Sequence, residues 1–257
     1  MIMGLRFGHW RLAIAIPIFC VLGAIWIPLA GFQPLRRRLP QVLWFVLLWA
    51  FRINIRQVGM PWASGQVLFA ANHISWADIV VLGSLLDAGF VAKQEVRTWP
   101  IIGILAERYG CNFVSRSRRN DIAQQASQLE VRLRDRGRFI LFPEGTSGPG
   151  NKVLPFRSSL FAAAISGFCL VQPIAIVWKE RDGTPLNPSR LRKVAWIDND
   201  ELLPHALAFA AMGGVTVEVH FLAPLAIPDR KVVALSAHAA VDQCLRHAQA
   251  ETLNRAA

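Results

Sequence analysis

"VLFAANHISWADIVVLGSLL", residues 67 to 86, is the stretch whose reading decides the fold. Val67 to Ala71 is continuously apolar, the texture of a short strand covered on both faces. From Ala77 to Leu86 the apolar spacing turns helical, with Ser75 placed as an N-cap ahead of Trp76. A buried strand that gives way to a helix after a short loop is half of a strand–helix unit, so the stretch predicts a layered α/β domain. Between the two elements stand Asn72 and His73, with Asp78 in the first helical turn. A histidine there leaves the carboxyl end of a strand, where α/β sheets place their ligands.

Working outward, the same alternation continues. Phe90 to Ala92, Asn112 to Val114, Phe139 to Phe142, Leu170 to Val177 and Val215 to Leu222 read as strands. Ile101 to Tyr109, Ile122 to Arg136, Ser158 to Ser166 and Val232 to Leu253 read as helices. No internal repeat, low-complexity tract or linker divides this region, so residues 57–257 are expected to form one domain. Residues 1–56 read differently. Leu12 to Phe32 holds no charged side chain over 21 positions, about 31 Å as a helix at 1.5 Å per residue. That length matches a hydrocarbon core, and Pro17 and Pro28 bend such a helix without forbidding it. A cleavable signal peptide competes with this reading, but the stretch is long and Arg36, Arg37 and Arg38 follow at once. The basic cluster marks its side as cytoplasmic. Leu39 to Phe51 is too short to span and is expected in the interface, with Trp44 and Trp49 at headgroup depth. The N-terminal segment is therefore expected to be a membrane anchor, transmembrane or re-entrant, on the cytoplasmic membrane.

Composition agrees. The 257 residues are 53% hydrophobic with only 18% charged, and the net charge is +11. An anionic surface is the natural partner, and the low charged fraction selects anionic lipid over nucleic acid. Cys20, Cys111, Cys169 and Cys244 are scattered without a CxxC pair, so no metal site is expected.

Chemistry concentrates at few places. The Asp78 carboxylate is near enough in sequence to accept from one imidazole nitrogen of His73, leaving the other to take a proton. "GCNFVSRSRR", Gly110 to Arg119, turns through a glycine into a strand and then presents Arg116, Arg118 and Arg119, whose guanidinium groups suit a phosphate or carboxylate. "FPEGTSGPGNK", Phe142 to Lys152, ends a strand at Pro143 and sets Glu144 on the same sheet edge as His73. "VQPIAIV", Val171 to Val177, is a strand interrupted by Pro173. Gly145 to Gly150 has phosphate-loop spacing, but Asn151 stands where a lysine is required, and neither HExxH nor GxSxG occurs.

In this order, the four stretches resemble the glycerolipid acyltransferase family, which includes the 1-acylglycerol-3-phosphate acyltransferases. The N-H-x-x-x-x-D block falls on Asn72, His73 and Asp78, and G-x-x-F-[IV]-x-R on Gly110, Phe113, Val114 and Arg116. The F-P-E-G-T block falls on Phe142 to Thr146, and V-x-P-I on Val171, Pro173 and Ile174. The resemblance implies a layered mixed sheet flanked by helices. It also implies a membrane-bound O-acyltransferase using no cofactor, with acyl-CoA or acyl-carrier protein as co-substrate. His73, oriented by Asp78, would deprotonate the hydroxyl of a lysolipid. Asn72, Gly110, Phe113, Arg116, Glu144, Gly145, Thr146 and Pro173 would contribute to substrate binding. Many phosphate-acceptor members carry arginine after F-P-E-G-T, whereas Ser147 stands there in this chain. Lysophosphatidate is the first acceptor expected, and lyso-ornithine lipid the alternative. Of other classes, a non-catalytic lipid-binding protein follows from charge and the apolar N-terminus, and nucleic-acid binding from charge alone. The anchor has a physical purpose: taking a sixteen-carbon chain into water costs about 12 kcal/mol at roughly 0.8 kcal/mol per methylene.

Overall fold

The computed structural model describes residues 3–29, 33–114, 119–166, 169–197 and 199–256. The chain opens with two helices, α1 (Met3–Leu29) and α2 (Gln33–Phe51), packed against each other as a hairpin. Then come β1 (Ile53–Val58), β2 (Val67–Ala71), α3 (Ala77–Leu85), β3 (Gly89–Lys93), α4 (Ile102–Tyr109), β4 (Asn112–Val114), α5 (Arg119–Arg136) and β5 (Arg138–Leu141). The second half holds α6 (Ala162–Ser166), β6 (Leu170–Lys179), α7 (Pro188–Val194), α8 (Leu202–Ala210), β7 (Val215–Phe221) and α9 (Arg230–Ala256).

The strands form one sheet in the order β1-β7-β6-β2-β5-β3-β4. The five from β6 to β4 are mutually parallel, β7 is antiparallel to β6, and β1 runs parallel to β7. The domain is thus the layered α/β fold that the alternation predicts, with the mixed sheet that the family resemblance implies. All five residues of β2 are buried, as a central strand with both faces covered requires. One face packs on a large core with Phe69, Ile174 and Ile176, the other on Leu68, Leu141 and Phe161.

Two expectations need correction. Ile53 to Arg56, assigned to the N-terminal segment, belong to an edge strand in full register with β7, from Ile53 opposite Val215 to Val58 opposite His220. The sheet therefore begins before residue 57. Nor does Trp44 face outward: its ring stacks edge-on against Tyr109 at 5.6 Å and lines an internal cavity. Trp49 does lie exposed, beside Trp10 and Arg11. Between Leu12 and Trp26 one side of the N-terminal helix packs on the protein, where Leu12, Ala15 and Trp26 are buried. Its opposite side leaves Ile14, Ile18, Val21, Ile25 and Leu29 exposed at helical spacing.

Candidate active site

The parallel strands β2 and β5 end side by side, with Ala70 opposite Leu141, and each releases its chain into a loop at that edge. His73 leaves β2 and Glu144 leaves β5. Asn72 makes the transition possible. Ala71 pairs with Ile174, and beyond that point the Asn72 amide takes over: Nδ2 donates to the Ile176 carbonyl at 3.0 Å and Oδ1 accepts from the Ile176 N–H at 2.7 Å. The side chain imitates a strand peptide, so β2 can turn away while β6 keeps both backbone groups satisfied. Asn72 is buried, with both polar atoms of its side chain bonded to the Ile176 backbone.

His73 is gripped from several directions. Its N–H donates to Glu144 Oε1 at 2.7 Å, and its carbonyl accepts from the Gly148 N–H at 2.7 Å. Its ring lies flat on Phe142, with centroids 4.0 Å apart and planes 20° from parallel. Its Nδ1 stands 3.0 Å from Asp78 Oδ2. The same oxygen accepts the N–H groups of Ile74 at 2.7 Å and Ser75 at 2.8 Å, while Oδ1 accepts Trp178 Nε1–H at 2.9 Å. A carboxylate is an acceptor only, so Nδ1 carries the proton and Nε2 is the ring nitrogen left to accept one. The expected N-cap is corrected here. Ser75 is buried with its hydroxyl unpartnered, and Asp78 satisfies the backbone N–H groups ahead of α3 instead.

Glu144 lies beneath the same loop. It is buried, with Oε1 on His73 N and Oε2 accepting from Leu154 N at 3.0 Å. Burial pushes its carboxyl up to about 8; the two backbone donors pull it down and the charge of Asp78 pushes it further up. Each oxygen accepts a backbone N–H, so Glu144 ties His73 to the loop at Leu154. In that loop Gly145 takes a positive φ of 74°, and Ser147 Oγ donates to the carbonyl of Trp196.

A cavity of about 400 Å³ begins at His73. Its wall runs over Phe142 and Phe90 to Tyr109, then to Trp44 and Leu43 of α2 and Phe19 and Trp26 of α1. The lining is almost wholly aliphatic and aromatic, of a size usual for ligand pockets. Gly145, Thr146 and Ser147 edge it, so of the expected binding residues Gly145 and Thr146 do reach it. Gly110, Phe113 and Pro173 do not line it. Gly110 closes α4 in the left-handed conformation, φ 96°; Phe113 pairs with Ala92 and lies under the Arg97 guanidinium; Pro173 sits in β6 opposite Ala70. Arg116 and Arg118 lie outside the described residues. The sequence reading passed over Lys93, a cation lining the cavity at the carboxyl end of β3, and Trp196, which closes edge-on over Trp99 at 6.2 Å. It also missed Trp178. Lys93 carried a signal, since a lone charge ends an apolar strand; the two tryptophans carried none. His205 is a satisfied core histidine: Trp76 Nε1 donates to its Nδ1, its Nε2 meets the Ala195 carbonyl, and burial pushes its pKa down.

Known proteins resemble this chain in both sequence and shape. The family model described as Acyltransferase matches residues 52–177. The chain is 36% identical over 209 residues to a lyso-ornithine lipid O-acyltransferase of Brucella abortus (strain 2308), covering 77% of this chain and 78% of the relative. The enzyme of that name from Pseudomonas aeruginosa is 33% identical over 234 residues, 90% of this chain and 87% of the relative. A 1-acyl-sn-glycerol-3-phosphate acyltransferase of Neisseria gonorrhoeae is 34% identical over 118 residues, 46% of each chain. Among solved structures, the 1-acyl-sn-glycerophosphate acyltransferase PlsC of Thermotoga maritima superposes with a TM-score of 0.60 at 17% identity, over 93% of this chain and 97% of that one.

Proposed function

The chain belongs to the glycerolipid acyltransferase family and is a lysolipid O-acyltransferase, and from that premise we propose how its residues divide the work. The observation that carries the proposal is the His73–Asp78 pair, 3.0 Å apart, at the mouth of an apolar cavity. His73 Nε2 takes the proton of the lysolipid hydroxyl as its oxygen attacks the thioester carbonyl of acyl-CoA or acyl-carrier protein. The tetrahedral intermediate collapses with loss of the thiolate, which takes the proton back from the imidazolium. Asp78 keeps Nδ1 protonated and the ring oriented throughout. Positioned base catalysis of this kind contributes about 10²- to 10⁴-fold. The cavity receives the acyl chain, and Lys93 with the Gly145–Ser147 loop meets the polar end of the acceptor.

For the acceptor, we place lyso-ornithine lipid ahead of lysophosphatidate, reversing the order given by motifs alone. Relatives of that name match most of this chain, while the lysophosphatidate relative matches less than half. Ser147, in the position after F-P-E-G-T, spends its hydroxyl on the Trp196 carbonyl and brings no cation to a phosphate. The bilayer is the proposed partner surface. Trp10–Leu29 is long and apolar enough to cross a membrane, and on α2 Val42, Phe45 and Trp49 are exposed as well, Trp49 against Trp10. Since α1 packs on α2 and touches α4 and α8 of the catalytic domain, the hairpin brings the cavity against lipid, with the domain on the cytoplasmic side as the arginines after α1 favour.

The test is transfer of a labelled acyl group from acyl-CoA to lyso-ornithine lipid and to lysophosphatidate by membranes containing the protein. Wild type is expected to acylate lyso-ornithine lipid, and His73→Ala to lose that activity by 10²-fold or more at equal membrane content. Transfer by His73→Ala at near wild-type rate would remove His73 from the mechanism.

A further inference from the structure

Behind the His73–Asp78 pair, on a strand whose motif ends before it, lies Trp178. It is the next-to-last residue of β6, 5% exposed, and opposite Val217 in the antiparallel ladder. Its Nε1–H reaches across to Asp78 Oδ1 at 2.9 Å, while Oδ2 holds His73 Nδ1 and two backbone N–H groups. We infer that Trp178 is a positioning residue for acyl transfer: its indole N–H fixes the plane of the Asp78 carboxylate, so that Oδ2 faces the imidazole.

The argument is geometric. A carboxylate turns about its Cβ–Cγ bond, a torsion with broad wells. Donors on Oδ2 alone leave that rotation to the backbone N–H groups of a loop. A donor on Oδ1 from the opposite side, fixed on a central strand, removes it. The indole itself is immobilised. Phe209 of α8 meets it edge-on at 5.8 Å, and Phe209 in turn packs on Phe51 and Trp76 at 5.8 and 5.7 Å. The strand is held too, because Ile176, two residues before Trp178, is the residue clamped at both backbone groups by Asn72. Asn72 therefore ties β6 to the start of the His73 loop, and Trp178 ties it to the carboxylate at the loop's far end. Two anchors on one strand set the imidazole from both sides. Outer partners of a working histidine, measured for metal-bound imidazoles, are worth roughly 10- to 100-fold.

This inference rests on the proposed roles of His73 and Asp78, so the experiment separates the two. The informative variant replaces Trp178 with β-(3-benzothienyl)alanine, which keeps the bicyclic shape and puts sulfur where the N–H was. Trp178→Phe and His73→Ala are assayed beside it, each in membranes normalised for protein. The benzothienyl chain is expected to lower kcat roughly 10-fold or more, with KM for thioester and lysolipid within about twofold of wild type. Trp178→Phe falls at least as far. A benzothienyl variant with wild-type kcat, beside an inactive His73→Ala, overturns the role given to the N–H and leaves Trp178 a packing residue. An active His73→Ala overturns the underlying reading instead. A benzothienyl variant whose loss lies in KM with kcat intact also overturns the inference, since orientation of the base acts on the chemical step.

Discussion

Glu144→Gln keeps the side chain's shape while removing its titratable proton, and the contacts dictate how the amide must sit. Glu144 accepts two backbone donors, His73 N–H at 2.7 Å and Leu154 N–H at 3.0 Å, but an amide has only one acceptor oxygen. That oxygen takes the shorter bond, and the NH₂ is left facing Leu154 N–H. A buried donor without an acceptor costs about 1–3 kcal/mol. Near pH 6 the variant should therefore melt lower by ~2–12 °C, at 2–4 °C per kcal/mol for a chain of this size. The gap should then change with pH. Burial holds the wild-type carboxyl at about 8, against 4.5 for the exposed group. Between those values the folded protein keeps a proton that the unfolded chain has released, so wild-type stability falls as pH rises and levels off above about 8. Each unit of separation is worth ~1.36 kcal/mol, giving a ceiling of about 5 kcal/mol, of which about 3 is lost between pH 6 and pH 8. Glutamine has no such slope. Thermal unfolding of both proteins in detergent at pH 6, 7 and 8.5 should show the two melting curves converging or crossing. A separation that stays constant over that range would refute the assignment of a neutral, buried acid beneath His73.

Two other replacements probe the scaffold. Asn72→Ala strips both partners from the Ile176 peptide in the core, so a loss of about 2–5 kcal/mol is expected; an unchanged melting temperature would show that the clamp does not bear on stability. Gly83→Ala places a methyl 2.6 Å from Trp44 Cε2, which pushes the indole into the cavity. The variant should favour shorter acyl thioesters in a chain-length series, and an unaltered profile would mean that Trp44 does not bound the chain.

The parts of the molecule legible in the sequence are those with short-range signals. Val67 to Ala71 and Asn112 to Val114 are strands with the bounds expected, because an apolar run ending in a polar residue marks a buried strand directly. The His73–Asp78 contact was legible for the same reason: five positions across a strand–helix turn bring the groups together whatever the rest of the chain does. Strand β1 was missed although Ile53, Ile55 and Val58 punctuate it, since its partner, β7, lies far along the chain and the greasy segment before it masked the change of period. The roles of Asn72 and Glu144 were unreadable for a different reason. Both residue types are ordinary ligands when exposed, and only the geometry of Ile176 and Leu154 turns them inward. Trp178 is an apolar residue in an apolar strand until its N–H is seen to point at a carboxylate.

The two carboxylates around His73 show how one sheet edge can hold an imidazole steady and still leave one ring nitrogen open. Asp78 and Glu144 approach from opposite sides, one at the ring and one at the backbone. Asp78 is met by four donors, while Glu144 has two and feels the negative charge of Asp78 in a buried setting. Burial pushes the Glu144 carboxyl up to about 8, so its setting disfavours a charge there. A second full charge at Glu144 would compete for the imidazolium and draw it toward the loop. Kept neutral, Glu144 fixes the His73 backbone without adding a rival counter-ion, and the ring answers to Asp78 alone. The remaining faces of the imidazole are then decided by packing: Phe142 covers one plane, and Nε2 is left for a cavity lined almost wholly by hydrocarbon.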